Sequence, residues 1–149
     1  MTLELKTINV SYTDNLENVF ALNLYSLLKD YVNIRVITDF YSNVDYEITD
    51  KNNNNNKMYL ELKSRSSNSY NTFIIGSTKI LNINKHYNPT ILIWNFTDGL
   101  YFCKCIKEFD KYHTKIIKNS SVIEISKSIC SVGIDNLKRE ILDILQIII

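Results

Sequence analysis

Glycine, proline and alanine are scarce in this chain, which has three glycines and one proline in 149 residues. Asparagine, isoleucine, lysine and tyrosine are correspondingly frequent. This bias follows AT-rich codons more closely than any demand of folding, and it suggests a source with an AT-rich genome, a virus or a protist. The composition, 45% hydrophobic and 22% charged, is ordinary for a globular protein and argues against global disorder.

Cysteine and histidine are also few. The three cysteines, Cys103, Cys105 and Cys130, are an odd number and do not make a disulfide framework, so a reducing compartment fits them better. We expect them to be small buried side chains. Together with His86 and His113 they offer no pair at zinc-finger spacing, so a structural zinc is not expected.

No apolar run in the sequence is long enough to cross a bilayer, and the first residues lack the apolar core of a signal peptide. We therefore expect no membrane association and an intracellular location, in the cytoplasm or the nucleus. The apolar end, 142–149, is short enough to be buried core or a homodimer contact. A formal net charge of +1 means that any affinity for nucleic acid must come from a local patch.

The length predicts one domain over 1–149, with its core at about 14–106. Apolar residues at helical spacing predict helices over 14–31, 72–83 and 134–149. Strand patterns occur at 34–40, 44–49, 58–65, 90–96, 100–106, 115–117 and 122–125. The tract 50–57, with five consecutive asparagines, is predicted to be a loop. This order implies an α/β fold, a three-layer sandwich with a mixed central β-sheet flanked by helices.

The strand over 58–65 is unusual because it combines charged and apolar residues. Side chains two positions apart share one face of a strand, so Glu61, Lys63 and Arg65 project together, and Leu60 and Leu62 face the other way with Ser64. A carboxylate and an ammonium on such a strand are costly in a core. They make sense where a metal and a phosphate are held.

The neighbouring strand supplies a second carboxylate. If the two strands form a hairpin around the asparagine tract, Asp45 lies opposite Glu61 or Lys63, and an even sum of partner numbers places Asp45 and Glu61 on one face. Asp39, Glu47 and Asp50 are the alternatives to Asp45. Two adjacent carboxylates repel unless a proton or a cation lies between them, and Mg²⁺ is a hard ion that accepts carboxylates, waters and phosphate oxygens.

These residues resemble the PD-(D/E)xK nucleases, which have the restriction-endonuclease-like fold. Asp45 resembles the first acidic residue of that motif, with Val44 in place of its proline, and Glu61-Leu62-Lys63 resembles its second part. The resemblance implies a Mg²⁺-dependent enzyme, with Mn²⁺ as a substitute, that hydrolyses DNA phosphodiesters as a junction resolvase, restriction or repair endonuclease.

The resemblance also implies roles for individual residues. Asp45 and Glu61 would be metal ligands, Lys63 would orient water or neutralise developing charge, and the main-chain carbonyl of Leu62 would be a further ligand. Glu17 on the first helix is the candidate for an additional acidic ligand, and Lys79 is the candidate for a basic residue on the helix after the motif.

Contacts with DNA are expected from polar residues that follow the motif. These are Ser64, Arg65, Ser66, Asn68 and Tyr70, with Lys79 on the next helix. The alternative for them is an ordinary solvated loop. The alternative for the whole protein is a noncatalytic nucleic-acid-binding or assembly module that retains the nuclease fold. A homodimer with two sites facing each other would fit a junction resolvase or a restriction enzyme.

Overall fold

The structure of the protein is a computed structural model, and it describes residues 12–39, 42–65, 72–96, 99–105, 114–117 and 119–148. Within these ranges there are three α-helices: α1 (Tyr12–Leu28), α2 (Ser77–His86) and α3 (Ile134–Ile144). None of the helices in the described ranges is long and apolar enough to cross a membrane.

The strands form two sheets. Their bounds are β1 (Val32–Val36), β2 (Tyr46–Asp50), β3 (Asn53–Arg65), β4 (Thr72–Gly76), β5 (Thr90–Phe96), β6 (Gly99–Lys104), β7 (Thr114–Ile117), β8 (Ser120–Ser126) and β9 (Ser131–Val132). The larger sheet has the order β1-β2-β3-β5-β6-β9, and the smaller has the order β4-β8-β7. In the larger sheet β3 pairs with β5 in parallel and with β2 antiparallel, so this sheet is mixed.

Each face of the larger sheet is covered by a separate apolar cluster. Helices α1 and α3 pack on one face, where Leu24, Leu28 and Ile141 meet Leu60 and the other side chains of the first cluster. On the opposite face α2 and the smaller sheet contribute a second cluster, whose members include Ile80, Ile83, Phe73, Leu92 and Trp94. The predicted α/β class, with a mixed central sheet flanked by helices, is confirmed.

Strand β3 has the alternation that the sequence predicts. Met58, Leu60 and Leu62 belong to the cluster beneath α1 and α3, whereas Tyr59 packs with the second cluster. Because side-chain direction has period two, Glu61 and Lys63 project from the same face as Tyr59. The charged residues of the motif therefore face the layer that contains α2.

The asparagine tract is part of the hairpin, and the prediction of a loop over 50–57 is wrong. Strand β3 begins at Asn53, and only Lys51 and Asn52 form the turn. The pairing slips between Thr49 and Asp50. The Asn56 amide donates to the Leu145 carbonyl at 2.7 Å and to Asp50 Oδ2 at 3.3 Å, so backbone pairing and amide hydrogen bonds order a segment that has nothing to bury.

The prediction of a helix over 72–83 is wrong in its first half. Residues 72–76 form β4, which pairs with β8, and α2 begins at Ser77. Phe73 and Ile75 are buried, whereas Ile74 between them is exposed, which is the alternation of a strand. Gly76 stands at the N-cap with an extended backbone, and there the direction of the chain changes.

The third helix is shorter than predicted and ends at Ile144. Gln146 has a positive φ of 57°, and the Ile147 N–H turns back to the Leu142 carbonyl at 2.9 Å, which terminates the helix. Leu142 and Leu145 are buried, but Ile148 is 96% exposed. The apolar end is thus partly core and partly surface.

Candidate functional site

The strand register brings Asp45 and Glu61 together. Tyr46, the first residue of β2, pairs with Leu60, and the carboxyl group of Asp45, immediately before it, forms a hydrogen bond with that of Glu61. The Asp45 N–H donates to the Leu60 carbonyl at 2.8 Å, although Leu60 is the register partner of Tyr46, so this bond lies outside the regular ladder of β2 and β3. The juxtaposition predicted from the position of the loop is confirmed, and of the two partners expected for Asp45 the structure selects Glu61.

The backbone and side chain of Asp45 are held by hydrogen bonds on both sides. Its carbonyl accepts from the Ile37 N–H at 2.8 Å, and its Oδ2 accepts from the Leu62 N–H at 2.7 Å. A carboxylate that accepts a backbone N–H is fixed in position more firmly than one that faces only water. Asp45 is therefore anchored to the middle residue of Glu61-Leu62-Lys63.

Glu61 is a buried acid, with 4% of its surface exposed. Burial, a hydrogen bond with the Asp45 carboxylate and the negative charge of Asp45 together raise the pKa of Glu61 from 4.5 to about 8. The ammonium of Lys79, which forms an ion pair with Glu61 Oε2, lowers that pKa but does not outweigh the other causes. Near neutral pH the Glu61 carboxyl group is therefore largely protonated.

Two lysines stand beside the carboxyl pair. Lys79 lies on α2, which covers this face of the sheet, and about a third of its side chain is exposed. Lys63 lies two residues after Glu61 on the same face of β3, is partly buried, and pairs in register with Trp94 of β5. The site thus combines two carboxyl groups with the Lys79 ammonium at the junction of β2, β3 and α2, and Lys63 follows on the same face of β3.

The backbone of Leu62 contributes to this site on its β2 side. In a strand, the N–H and C=O of one residue point toward the same neighbouring strand. Because the Leu62 N–H donates to Asp45, its carbonyl is directed to the same edge, just beyond the point where β2 begins. The side chain of Leu62 is buried in the opposite direction, in the cluster under α1 and α3.

Glu17 is placed differently from the carboxyl pair. It lies on α1, which covers the other face of the sheet. The pKa of Tyr46 is raised mainly by burial, then by the charge of Asp45, and third by the charge of Glu17. Among the described residues, no group of three or more His, Cys, Asp or Glu side chains is arranged to hold one metal ion. The structure therefore does not combine Glu17 with Asp45 and Glu61 into a three-carboxylate set.

Two alternatives to Asp45 are engaged elsewhere. Glu47 forms an ion pair with Arg35 at 3.1 Å on the neighbouring strand. Asp50 accepts from the Asn52 N–H at 2.9 Å and belongs to the hairpin turn. Both lie further along β2, away from Glu61.

The residues expected to contact DNA are only partly described. Ser64 is fully buried, because it shares the inward face of β3 with Leu60 and Leu62, and the expectation that it meets a phosphate is wrong. Ser66, Asn68 and Tyr70, and the side chain of Arg65, lie outside the described residues.

The sequence did not reveal that Lys79 bonds to Glu61 or that the Leu62 N–H anchors Asp45. A signal for the lysine was present, because Lys79 directly precedes Ile80 and lies one turn before Ile83, and both isoleucines are buried against this face of the sheet. A signal for the Leu62 hydrogen bond was absent, since it depends on the bend before β2.

The fold is similar to that of a solved structure described as D212, a nuclease from a fusselovirus. The similarity has a TM-score of 0.62 at 14% sequence identity, and it covers 95% of this chain and 98% of that one. At this identity the similarity shows a shared nuclease-like fold. No protein-family model and no curated protein matches the sequence.

Proposed function

We propose that this protein is a metal-dependent nuclease of the PD-(D/E)xK type that hydrolyses DNA phosphodiester bonds. The observation that carries the proposal is the contact between the carboxyl groups of Asp45 and Glu61, with Lys63 on the same sheet face. The likeness of the fold to a viral nuclease supports the proposal independently of the site.

The donor set suits a hard divalent cation. Two carboxyl groups in contact repel once both are ionised unless a cation lies between them, and Mg²⁺ commonly takes one or two carboxylates with water and phosphate oxygens. The Leu62 carbonyl, directed to the same edge, is a further oxygen donor. Asp45, Glu61 and Leu62 would therefore hold the ion, and Glu17 is left as an outer acidic residue on α1.

When bound, such an ion polarises a phosphodiester and lowers the pKa of water. The chain supplies the remaining requirements. Asp45, fixed by the Leu62 N–H, keeps one ligand in place before substrate arrives. Lys63 projects beside Glu61, where its ammonium would orient the attacking water or neutralise charge on the phosphate in the transition state.

Lys79 would hold Glu61 through their ion pair while the cation is absent. Its positive charge keeps part of the Glu61 population ionised, and only the ionised carboxylate binds a cation well. In the bound state the ammonium is free to turn to a substrate phosphate, because about a third of the side chain is already exposed.

The test is cleavage with and without metal. The full-length chain would be incubated with supercoiled plasmid, branched DNA, single-stranded DNA and RNA of the same sequence, in Mg²⁺, Mn²⁺ or chelator. We expect metal-dependent cleavage of DNA that falls about 100-fold or more in Glu61→Ala and Lys63→Met. Glu140→Gln is the matched control, because Glu140 lies on α3 and pairs with Lys104 away from the site.

Each outcome decides between the two functions. Cleavage that depends on metal, Glu61 and Lys63 supports the nuclease, and calorimetry with Mg²⁺ should then show binding that disappears in Glu61→Ala. Absence of cleavage of every substrate with every metal would refute catalysis. Retained nucleic-acid binding in that case would support the noncatalytic module.

A further inference from the structure

Two of the cysteines lie opposite each other at the edge of the larger sheet. Strands β6 and β9 pair Tyr101 with Val132 and Phe102 with Ser131, so the next position places Cys103 against Cys130. Cys130 has an extended backbone, with φ −87° and ψ 144°, so it continues the line of β9. Opposed residues of antiparallel strands have Cα atoms about 4.5 to 5.5 Å apart, within the range that a disulfide spans.

Their side chains face the same way and touch. Both pack against the cluster that contains Trp94 and Phe73, and both are partly exposed, whereas Cys105 is buried. The two thiols form a hydrogen bond, which raises the pKa of Cys103 and lowers the pKa of Cys130. The Cys130 sulfur is also 3.7 Å from the Ser126 carbonyl.

We propose that Cys103 and Cys130 are a reversible dithiol–disulfide site that is oxidised by a low-molecular-weight disulfide such as oxidised glutathione. The Cys130 thiolate attacks one sulfur of oxidised glutathione, forms a mixed disulfide and expels one glutathione thiolate. The Cys103 thiol then loses its proton to that thiolate, and its sulfur displaces the second glutathione. The balance is one protein dithiol and one oxidised glutathione giving one protein disulfide and two reduced glutathiones.

The position of the pair gives the disulfide a structural effect. It would close the chain between Cys103 and Cys130, a loop that contains β7 and β8 of the smaller sheet. That sheet covers the same face of the larger sheet as the Asp45–Glu61 pair. In register, Glu61 pairs with Leu92, and Leu92 pairs with Cys103, so one row of residues joins the cysteines to the candidate site.

The proposal does not depend on nuclease activity, and its readout is the state of the thiols. The full-length protein would be equilibrated with buffers of oxidised and reduced glutathione, alkylated, digested and mapped by mass spectrometry. We expect a Cys103–Cys130 disulfide in oxidising buffer, with Cys105 alkylated, and full recovery of three free thiols after reduction. Oxidation should also raise the midpoint of thermal unfolding, because it restricts the unfolded chain.

The third cysteine provides the matched control. Cys105→Ser keeps both proposed partners and should oxidise as the wild type does, whereas Cys103→Ser and Cys130→Ser should form no intramolecular disulfide. Three alkylated thiols in oxidising buffer, or a disulfide that involves Cys105, would overturn the proposal. The wild-type map decides this even if a serine variant folds poorly.

Discussion

The Oδ2 atom of Asp45 accepts a hydrogen bond from the Leu62 N–H at 2.7 Å, and this contact ties the start of β2 to the centre of β3. The bond joins two parts of the proposed motif that lie 17 positions apart in sequence. The same carboxyl group also forms a hydrogen bond with that of Glu61. One backbone donor thus sets where the two acidic groups meet.

Replacement of Asp45 should separate its charge from its structural role. Asp45→Asn keeps an oxygen that accepts the Leu62 N–H but removes the negative charge, so we expect a stable fold and Mg²⁺ affinity at least about 10-fold lower. Asp45→Leu also leaves the Leu62 N–H without its acceptor, which should lower the free energy of unfolding by a further amount of about 1 to 3 kcal/mol. Calorimetry and urea unfolding measure the two effects, and equal destabilisation by both variants would contradict the role of the hydrogen bond.

Stability should fall as pH rises through the range set by Glu61. Its pKa is about 8 in the folded protein against 4.5 for the ordinary group, so between these values the folded chain binds more protons than the unfolded chain. The free energy of unfolding therefore decreases across this window and levels off above it. At about 1.4 kcal/mol per pKa unit, the contribution of Glu61 is of the order of a few kcal/mol.

Glu61→Gln is the variant that isolates this effect, because glutamine resembles the protonated acid and does not ionise. We expect urea unfolding at pH 5 and pH 9 to show a smaller loss of stability in Glu61→Gln than in the wild type, with the variant more stable at the higher pH. An unchanged pH dependence would show that another group is responsible.

Removal of the Lys79 charge should raise the pKa of Glu61 further. The ammonium is the group that lowers this pKa, so in Lys79→Met the carboxyl should ionise at a higher pH than in the wild type. Carboxyl NMR titration of labelled Glu61 measures the shift directly. Lys85→Met is the control, because Lys85 is exposed at the other end of α2, and an equal shift in both variants would argue against the ion pair.

The inward face of β3 should carry much of the stability. Leu60 is fully buried beneath α1, so Leu60→Ala should lower the free energy of unfolding by about 2 to 5 kcal/mol. Leu81 on α2 is 55% exposed, and Leu81→Ala should change the free energy of unfolding by about 0.5 kcal/mol or less. Denaturant unfolding of the two variants compares the same substitution at a buried and at an exposed position. Similar losses of stability in both would contradict the role of Leu60 in the core.

The alternation of Leu60, Glu61, Leu62 and Lys63 was enough to predict both the strand and its two faces, because period two is a local property of extended backbone. Counting across the hairpin also predicted that Asp45 lies near Glu61 or Lys63, and its carboxyl group is hydrogen-bonded to that of Glu61, although the turn is tighter than expected. The register shifts between Thr49 and Asp50, next to the turn, and is regular from Tyr46 to Thr49. The part of the site that follows from strand geometry was therefore predictable.

Other features depend on contacts that are distant in sequence. The strand over 72–76 was predicted to be helix, because its pairing with β8 cannot be seen locally and its apolar residues run on into α2. Ser64 was expected to contact phosphate because it is a polar residue beside the motif, but its place in the alternation of β3 buries it. The Lys79 ion pair likewise required the packing of α2 over Glu61.

The tight turn at Lys51 and Asn52 gives the protein a convenient attachment point. It is exposed, and the eight residue-to-residue steps from Asn53 to Glu61 separate it from the carboxyl pair by about 26 Å along an extended strand. A fluorophore or an affinity tag inserted there would report on the molecule without occupying the site around Glu61. Asn56 should be left unchanged in such a design, since its amide donates a hydrogen bond to the Leu145 carbonyl at the end of α3.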